Sequence, residues 1–411
     1  MAEKSIKPGL LVVSGGLLQT FALRRARKLG IETYLVDGSE HCVAREFADH
    51  FYSVSTKDYE GVAMLARRLA AEGKISGVYT QGADVAYTVA YAARAAGLPG
   101  VEPQAALNCD DKTTTRRMLV DAGVSSVRNA AASTFEEAQV GVKHVGYPCY
   151  IKPADNSASR GTKRLASGEG LYEAFEEALA ACYQTKVVLI EAEIPGAEYS
   201  VDTIMYKGVL YPAGISDRAF LTKDSYAVHI GSRTPSLLPV ALQAEMYKKM
   251  EAAAAVLGVS DGAFKGDMVV DSRSGIVEII EVTTRTSGGH DSQLRKPLSF
   301  GIDIIKATMD LALGRPLNPL DIIPRWVKWS STFAVFPDPG LVIAISGLDE
   351  LKALPGVADV ALLVKVGDTI TPYTHSAKRT NFITIVADTY EQLLNLEEKA
   401  RCTLHIRTTH A

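Results

Sequence analysis

Two carboxylates and an arginine in the segment Ala263–His290, AFKGDMVVDSRSGIVEIIEVTTRTSGGH, are spaced to meet at one point. The alternating apolar runs AFKGDMVV and IVEIIEVT flank Arg273-Ser274-Gly275, which predicts a hairpin whose three-residue loop uses Gly275 at its left-handed position. With Ser272 paired to Ile276, Asp267 falls opposite Glu281 on one face, with roughly 5 Å between their Cβ atoms. Like charges so placed repel. A divalent cation turns that repulsion into binding, and magnesium takes a few carboxylates plus phosphate oxygens rather than a full protein cage. The period of two puts Glu281, Thr283 and Arg285 on the same side, and a fixed arginine suits a phosphate or a carboxylate. The competing reading is a solvated hairpin face with an incidental ion pair.

Three further stretches read as nucleotide chemistry. PCYIKPADNSASRGTKRLAS runs from a strand into a loop of small polar residues and back into a strand. Such a loop can cradle phosphates through backbone N–H groups, with Lys152 at the strand end and Ser157, Ser159, Arg160 and Gly161 as a flap; otherwise it is an ordinary Ser/Gly loop. NCDDKTTTRRMLVDAG predicts a helix capped by Asp110 or Asp111 with Lys112 in its first turn. A lysine there opposes the helix dipole, which suggests retention for a ligand; the alternative is a solvated surface lysine. VVLIEAEIPGAEYSVD reads as a buried strand that breaks at Pro195-Gly196, offering an apolar adenine slot with Glu191 and a ribose carboxylate in Glu198. Each Glu taken singly reads as a strand-end surface residue.

The elements that must position these groups follow three patterns. From Leu10 to Pro103, the runs LLVVSG, TYLVD, FYSVS and GVYTQG alternate with helical stretches ending near Leu29, Ala71 and Gly97, a parallel, doubly wound α/β unit. Its first turn, SGGLLQ, is not GxGxxG, so Asp37 reads as a loop cap rather than a dinucleotide ribose partner. Between about Asp110 and Arg325, two α+β lobes with hairpins are predicted, one turning at Lys207-Gly208. After Trp326, strands, a short helix and Pro-Gly turns predict a compact α+β end domain.

The chain has 411 residues, enough for two to four domains. A net charge of -3 with no basic stripe argues against nucleic acid as a partner. Five cysteines (Cys42, Cys109, Cys149, Cys182 and Cys402) form no CxxC pair, which points to reduced thiols in a cytoplasm and against structural zinc. The start, MAEKSIKPGLLVVSGG, carries too short an apolar run for a signal peptide, and no stretch reaches the ~20 apolar residues of a membrane helix.

The order Lys112, the Lys152 strand with its flap, the Glu191–Glu198 hinge, then Asp267, Glu281 and Arg285 resembles the ATP-grasp superfamily. The likeness covers most of the chain, because that family also carries a Rossmann-like domain in front. It implies a Rossmann-like domain at 1–105, a two-lobed ATP-grasp domain at 106–324 and a small α+β domain at 325–411. It further implies that ATP lies between the lobes, with Lys112 and Lys152 on its phosphates, Glu191 at the adenine amino group and Glu198 at the ribose. Asp267 and Glu281 would hold magnesium, two ions in all, and Arg285 would steady an acyl phosphate. Two positions depart from the family pattern: Thr283 stands where Asn is usual, so the second metal is held more loosely, and Asp267 replaces the commoner Glu.

FAVFPDPG, ISGLDEL, LPGV and VGDTI look like the C-terminal domain of L-amino acid ligases. With TRTSGGH, this implies a carboxylate–amine ligase acting through an acyl phosphate on small-molecule substrates, amino acids among them. Arg218, His229, Ser287, Gly288 and His290 are then substrate candidates, with His290 either a helix-capping residue or an acceptor of the amine proton. A Glu often stands near the position of His229 in related ligases, which changes the charge read at the substrate. The alternatives are a carboxylating or purine-pathway ATP-grasp enzyme working through carboxyphosphate, and a non-catalytic nucleotide sensor. The sequence leaves room for a homodimer and does not fix the oligomeric state.

Overall fold

The computed structural model describes residues 8–223 and 225–409, so the first seven residues of the stretch read against a signal peptide lie outside the described residues. Strands Gly9–Val13, Glu32–Asp37, His50–Ser53 and Gly77–Tyr79 form a parallel sheet in the order third, second, first, fourth. Its central strands are unbroken apolar runs because both faces are covered. Helices Leu17–Lys28, Tyr59–Ala71 and Ala86–Ala95 make the connections. Asp37 accepts hydrogen bonds from the backbone N–H of Gly15 (2.7 Å) and of Ser39 (2.8 Å), so it closes the loops at that sheet end.

A small lobe follows, an antiparallel sheet in the order Asn129–Ala132, Val188–Ala192, Cys149–Pro153, Lys163–Leu165, backed by helices Phe135–Val145 and Leu171–Ala181. The large sheet begins with strands Val277–Thr283, Gly262–Asp271, Gly196–Tyr206, Val209–Lys223 and Tyr226–Thr234. Lys207 and Gly208, at φ of 52° and 77°, make the two-residue turn expected between two of them.

Helix Val240–Leu257 packs Met246, Met250 and Leu257 under the hairpin of strands Gly262–Asp271 and Val277–Thr283, against Phe264, Met268 and Ile279. Each such buried side chain contributes roughly 1.5–3 kcal/mol, so apolar packing anchors this face of the hairpin. Gly266 permits the close approach: a Cβ there would stand 2.4 Å from the Met250 sulfur. Alternation then turns Lys265, Asp267 and Val269 to the opposite face.

The end segment shares a sheet with the lobe before it. Trp329–Phe333 pairs with Tyr226–Thr234, and Asn381–Ala387 and Val357–Leu362 follow it, so the large sheet has eight strands and runs through the expected border near 325. Pairing gives the Tyr226–Thr234 edge the backbone partners it would otherwise lack. Gly340–Ser346, Thr369–Ile370 and His405–Thr408 form a separate three-stranded sheet. All five cysteines are free thiols. No helix among the described residues is long and apolar enough to cross a membrane.

Candidate active site

A cleft of about 480 Å³ opens between the two lobes, the front domain and the end segment. Lys112, Lys152, Glu191, Glu198, Asp267, Glu281 and Arg285 all line it, as do Ser157, Ser159, Arg218, His229, Ser287 and Gly288. Arg160, Gly161, Thr283 and His290 do not.

Asp267 pairs with Glu281, though not by the expected path. The Asp271 N–H bonds to the Ile276 carbonyl at 2.9 Å, so the loop has four residues, Ser272–Gly275, rather than three. That shift alone would move Glu281 out of register. A bulge between Asp267 and Met268 on the pairing ladder restores it by leaving Ile280 unpaired. The freed backbone is satisfied by Arg116, whose Nη2 donates to the carbonyls of Ile279 (2.8 Å) and Ile280 (3.1 Å).

The cleft is a lattice of opposed charges. Asp267 contacts Lys265 at 2.5 Å and Arg218 at 3.0 Å, and its buried Oδ1 has no hydrogen-bond partner among the described residues. Glu281 lies 3.4 Å from Lys112. Burial pushes the Glu281 carboxyl up, but Lys112 and Lys265 outweigh burial and hold it well below the usual range. Lys112 opens helix Lys112–Asp121, capped by Asp111 through the Thr114 N–H (2.6 Å), and also donates to the Asn156 carbonyl at 2.7 Å. Glu191 is buried between Arg116 and Lys152, the latter at 2.5 Å. Burial opposes its ionisation, yet the two cations hold its pKa at about 2. Its carboxylate is thus engaged by protein cations. Glu198 meets Arg218 at 3.1 Å; burial leads the upward push on its carboxyl, with Asp267 adding to it.

Arg285 is held by Asp84 of the front domain, and the same carboxylate takes the Ser157 hydroxyl of the flap. The flap's Ala158 carbonyl accepts from the Ser376 N–H of the end segment at 3.1 Å. Arg160 turns back onto Asn156 and Ser157 at the loop base. Gly161, at φ 66°, abuts helix Leu171–Ala181, where a Cβ would stand 2.5 Å from that of Ala181. Thr283 sits one pair further out than Glu281's neighbour, opposite Lys265 and off the cleft wall.

His290 is fully buried between the rings of Phe21 and Phe382, with Nδ1 on the Thr384 hydroxyl at 3.2 Å. Its side chain is not on the cleft wall; the residue stands at the N-cap position of the Asp291–Arg295 turn, capping it through its backbone carbonyl and not its ring, and burial, then Arg295 and Arg379, lower its pKa to about 4. His229 does line the cleft. Its Nε2 meets the Ser232 hydroxyl at 2.7 Å, and burial, reinforced by Arg218 and Arg379, keeps the ring neutral. Ser287 takes the Asp202 carboxylate at 3.0 Å through its N–H.

Lys265, Arg116, Asp84 and Arg379 were not singled out from the sequence. Lys265 had a signal, since it stands two residues before Asp267 on the same strand face. The other three reach the site through long-range packing.

The donor set suits magnesium: an unpartnered buried carboxylate oxygen faces a second carboxylate across the hairpin. No cluster of three or more His, Cys, Asp or Glu side chains able to hold a metal occurs among the described residues; a magnesium ion held by this pair would complete its shell with phosphate oxygens or water.

Two family descriptions match this chain, the ATP-grasp domain over residues 145–293 and the L-amino acid ligase C-terminal domain 2 over residues 332–409. An uncharacterized protein of Sinorhizobium fredii is 28% identical over 342 residues, covering 81% of this chain and 68% of that one. Alanine–anticapsin ligase of Bacillus amyloliquefaciens is 25% identical over 244 residues, covering 54% of this chain and 51% of that one. The chain thus spans about two thirds of the first relative and half of the second. The crystal structure of an L-amino acid ligase from Bacillus licheniformis has the same fold, with a TM-score of 0.85 at 21% identity over 99% of this chain and 100% of that one. Residues 145–293 thus match the ATP-grasp domain and residues 332–409 the L-amino acid ligase C-terminal domain 2, and the chain is similar to ligases that carry them.

Proposed function

We propose that the protein joins the carboxylate of one small molecule, an amino acid, to the amine of another, with ATP converted to ADP and phosphate. The observation that carries this reading is the convergence of Lys112, Lys152, Asp267, Glu281 and Arg285 on one cleft that an L-amino acid ligase-type end segment closes. The name of the alanine–anticapsin ligase relative supports it.

A carboxylate oxygen attacks the γ-phosphorus of ATP, the bond to the β-phosphate oxygen breaks, and ADP leaves. The amine nitrogen then attacks the acyl carbon, phosphate departs with the former carboxylate oxygen, and the amine gives up a proton as the amide forms. Lys112 and Lys152 offset charge on the phosphates, while Arg285 steadies the acyl phosphate. Glu198 takes the ribose hydroxyls, and Glu191 holds Lys152 in place for the phosphates. Asp267 and Glu281 would hold magnesium, which neutralises phosphate charge when bound. The Ser157–Gly161 flap excludes water from the acyl phosphate.

The test is isotopic. With the substrate carboxylate labelled with oxygen-18, one labelled oxygen is expected in the released phosphate. Phosphate carrying no label would refute the acyl phosphate.

A further inference from the structure

Arg379 is unlike the other cations of the cleft wall. Each remaining lysine and arginine there is in an ion pair with an Asp or Glu. Arg379 has none among the described residues. Its Nε donates to the Ser376 carbonyl at 2.8 Å, its Nη1 meets His229 Nδ1 at 3.2 Å, and its guanidinium lies 4.6 Å over the Phe382 ring. These three neutral contacts fix the plane of the fork, and Nη2 makes no hydrogen bond among the described residues. Burial acts on the group first, and the only charges that follow are Arg218 and Arg295; together they bring it down to about 10, still cationic at neutral pH. A held cation with like-charged neighbours and no counter-ion is costly until an anion arrives.

We propose that Arg379 forms an anion subsite for a substrate carboxylate other than the one being activated, making it a specificity-determining residue supplied by the end segment. This rests on the ligase reading above. A planar, oriented guanidinium matches a carboxylate in two parallel hydrogen bonds. The phosphate side of the cleft is served elsewhere: neither Lys112 nor Lys152 touches Arg379, whose cleft neighbour is the neutral His229 on strand Tyr226–Thr234. Two sources can present such a carboxylate, the free carboxylate of the amine substrate or a second carboxylate on the acid substrate.

The experiment compares full-length wild type with Arg379→Gln and Arg379→Lys. L-alanine against L-alaninamide serves as the amine pair, and L-aspartate against L-asparagine as the acid pair. Each compound is titrated calorimetrically in the presence of MgADP, and each is used in steady-state phosphate release. Wild type should favour the carboxylate member of one pair by about tenfold or more, as a lost charge-assisted contact implies. Arg379→Gln should erase that preference through KM while leaving KM for ATP in place, and Arg379→Lys should retain part of it. Loss confined to the first pair assigns the subsite to the amine substrate; loss confined to the second assigns it to the acid. Equal or absent binding of acid and amide by wild type, or a preference unchanged in Arg379→Gln, overturns the subsite. Arg379-dependent binding without turnover of any pair keeps the subsite and refutes the ligase reading.

Discussion

Asp267 and Glu281 face each other across two antiparallel strands because a bulge at Ile280 cancels the extra residue in the loop that joins them. The pairing is fixed by the strands themselves, with one carboxylate oxygen buried and without a hydrogen-bond partner among the described residues. Glu281→Ala should lower kcat by roughly 10²–10³-fold, the cost of removing one preorganised electrostatic group, while the melting temperature stays near that of wild type. Asp267→Asn should raise the magnesium concentration needed for half-maximal turnover. Normal activity in Glu281→Ala would contradict the metal assignment.

Arg116 carries the bulge. It satisfies the Ile279 and Ile280 carbonyls and pairs with Glu191 from the same buried position. Arg116→Met leaves both carbonyls and a charge without it, so a loss of about 3–5 kcal/mol is expected in urea unfolding. The magnesium requirement should rise with it. A fully stable variant with an unaltered magnesium titration would show that the bulge stands by itself.

The Glu191 pair sets an acid limit. Its folded pKa, about 2, lies below the ordinary value of 4.5. The contribution is therefore complete above about pH 4.5 and is lost as pH falls toward about 2. Glu191→Gln should be less stable than wild type by about 3–5 kcal/mol near neutral pH, and the gap should narrow as the pH drops through that window. A gap independent of pH would mean that the cations do not depress this carboxyl.

Asp84 links three parts of the molecule, since it holds Arg285 and the flap's Ser157 from the front domain. Asp84→Ala should loosen the flap and admit water to the acyl phosphate, so that phosphate release exceeds amide formed. Equal amounts of phosphate and product in the variant would show that flap closure does not need this contact.

Much of this was legible in the residues. The buried runs of the front sheet, the Lys207-Gly208 turn and the Asp267–Glu281 pairing each follow from patterns a few residues long. The hairpin reading reached the correct pair through a loop one residue too short, because nothing local announces a bulge whose backbone is satisfied by Arg116 from a helix more than a hundred positions earlier. The merging of the end segment into the large sheet was hidden for the same reason: Gly231 pairs with Phe333 across a hundred residues. The burial of His290 was not legible because polar residues in a Ser-Gly-Gly turn look exposed, whereas Phe21 and Phe382 arrive from opposite ends of the chain to bury it. Asp84 and Arg379 sit in loops with no periodic signal and gain meaning only from what they touch.

The most direct test of the ligase reading is phosphate release from ATP and magnesium across a matrix of amino acids, singly and in pairs, with bicarbonate as a separate column and products read by mass. Release that requires two amino compounds, with a product lighter than their sum by one water, is the predicted result; release with bicarbonate alone, or none with any pair, would contradict it.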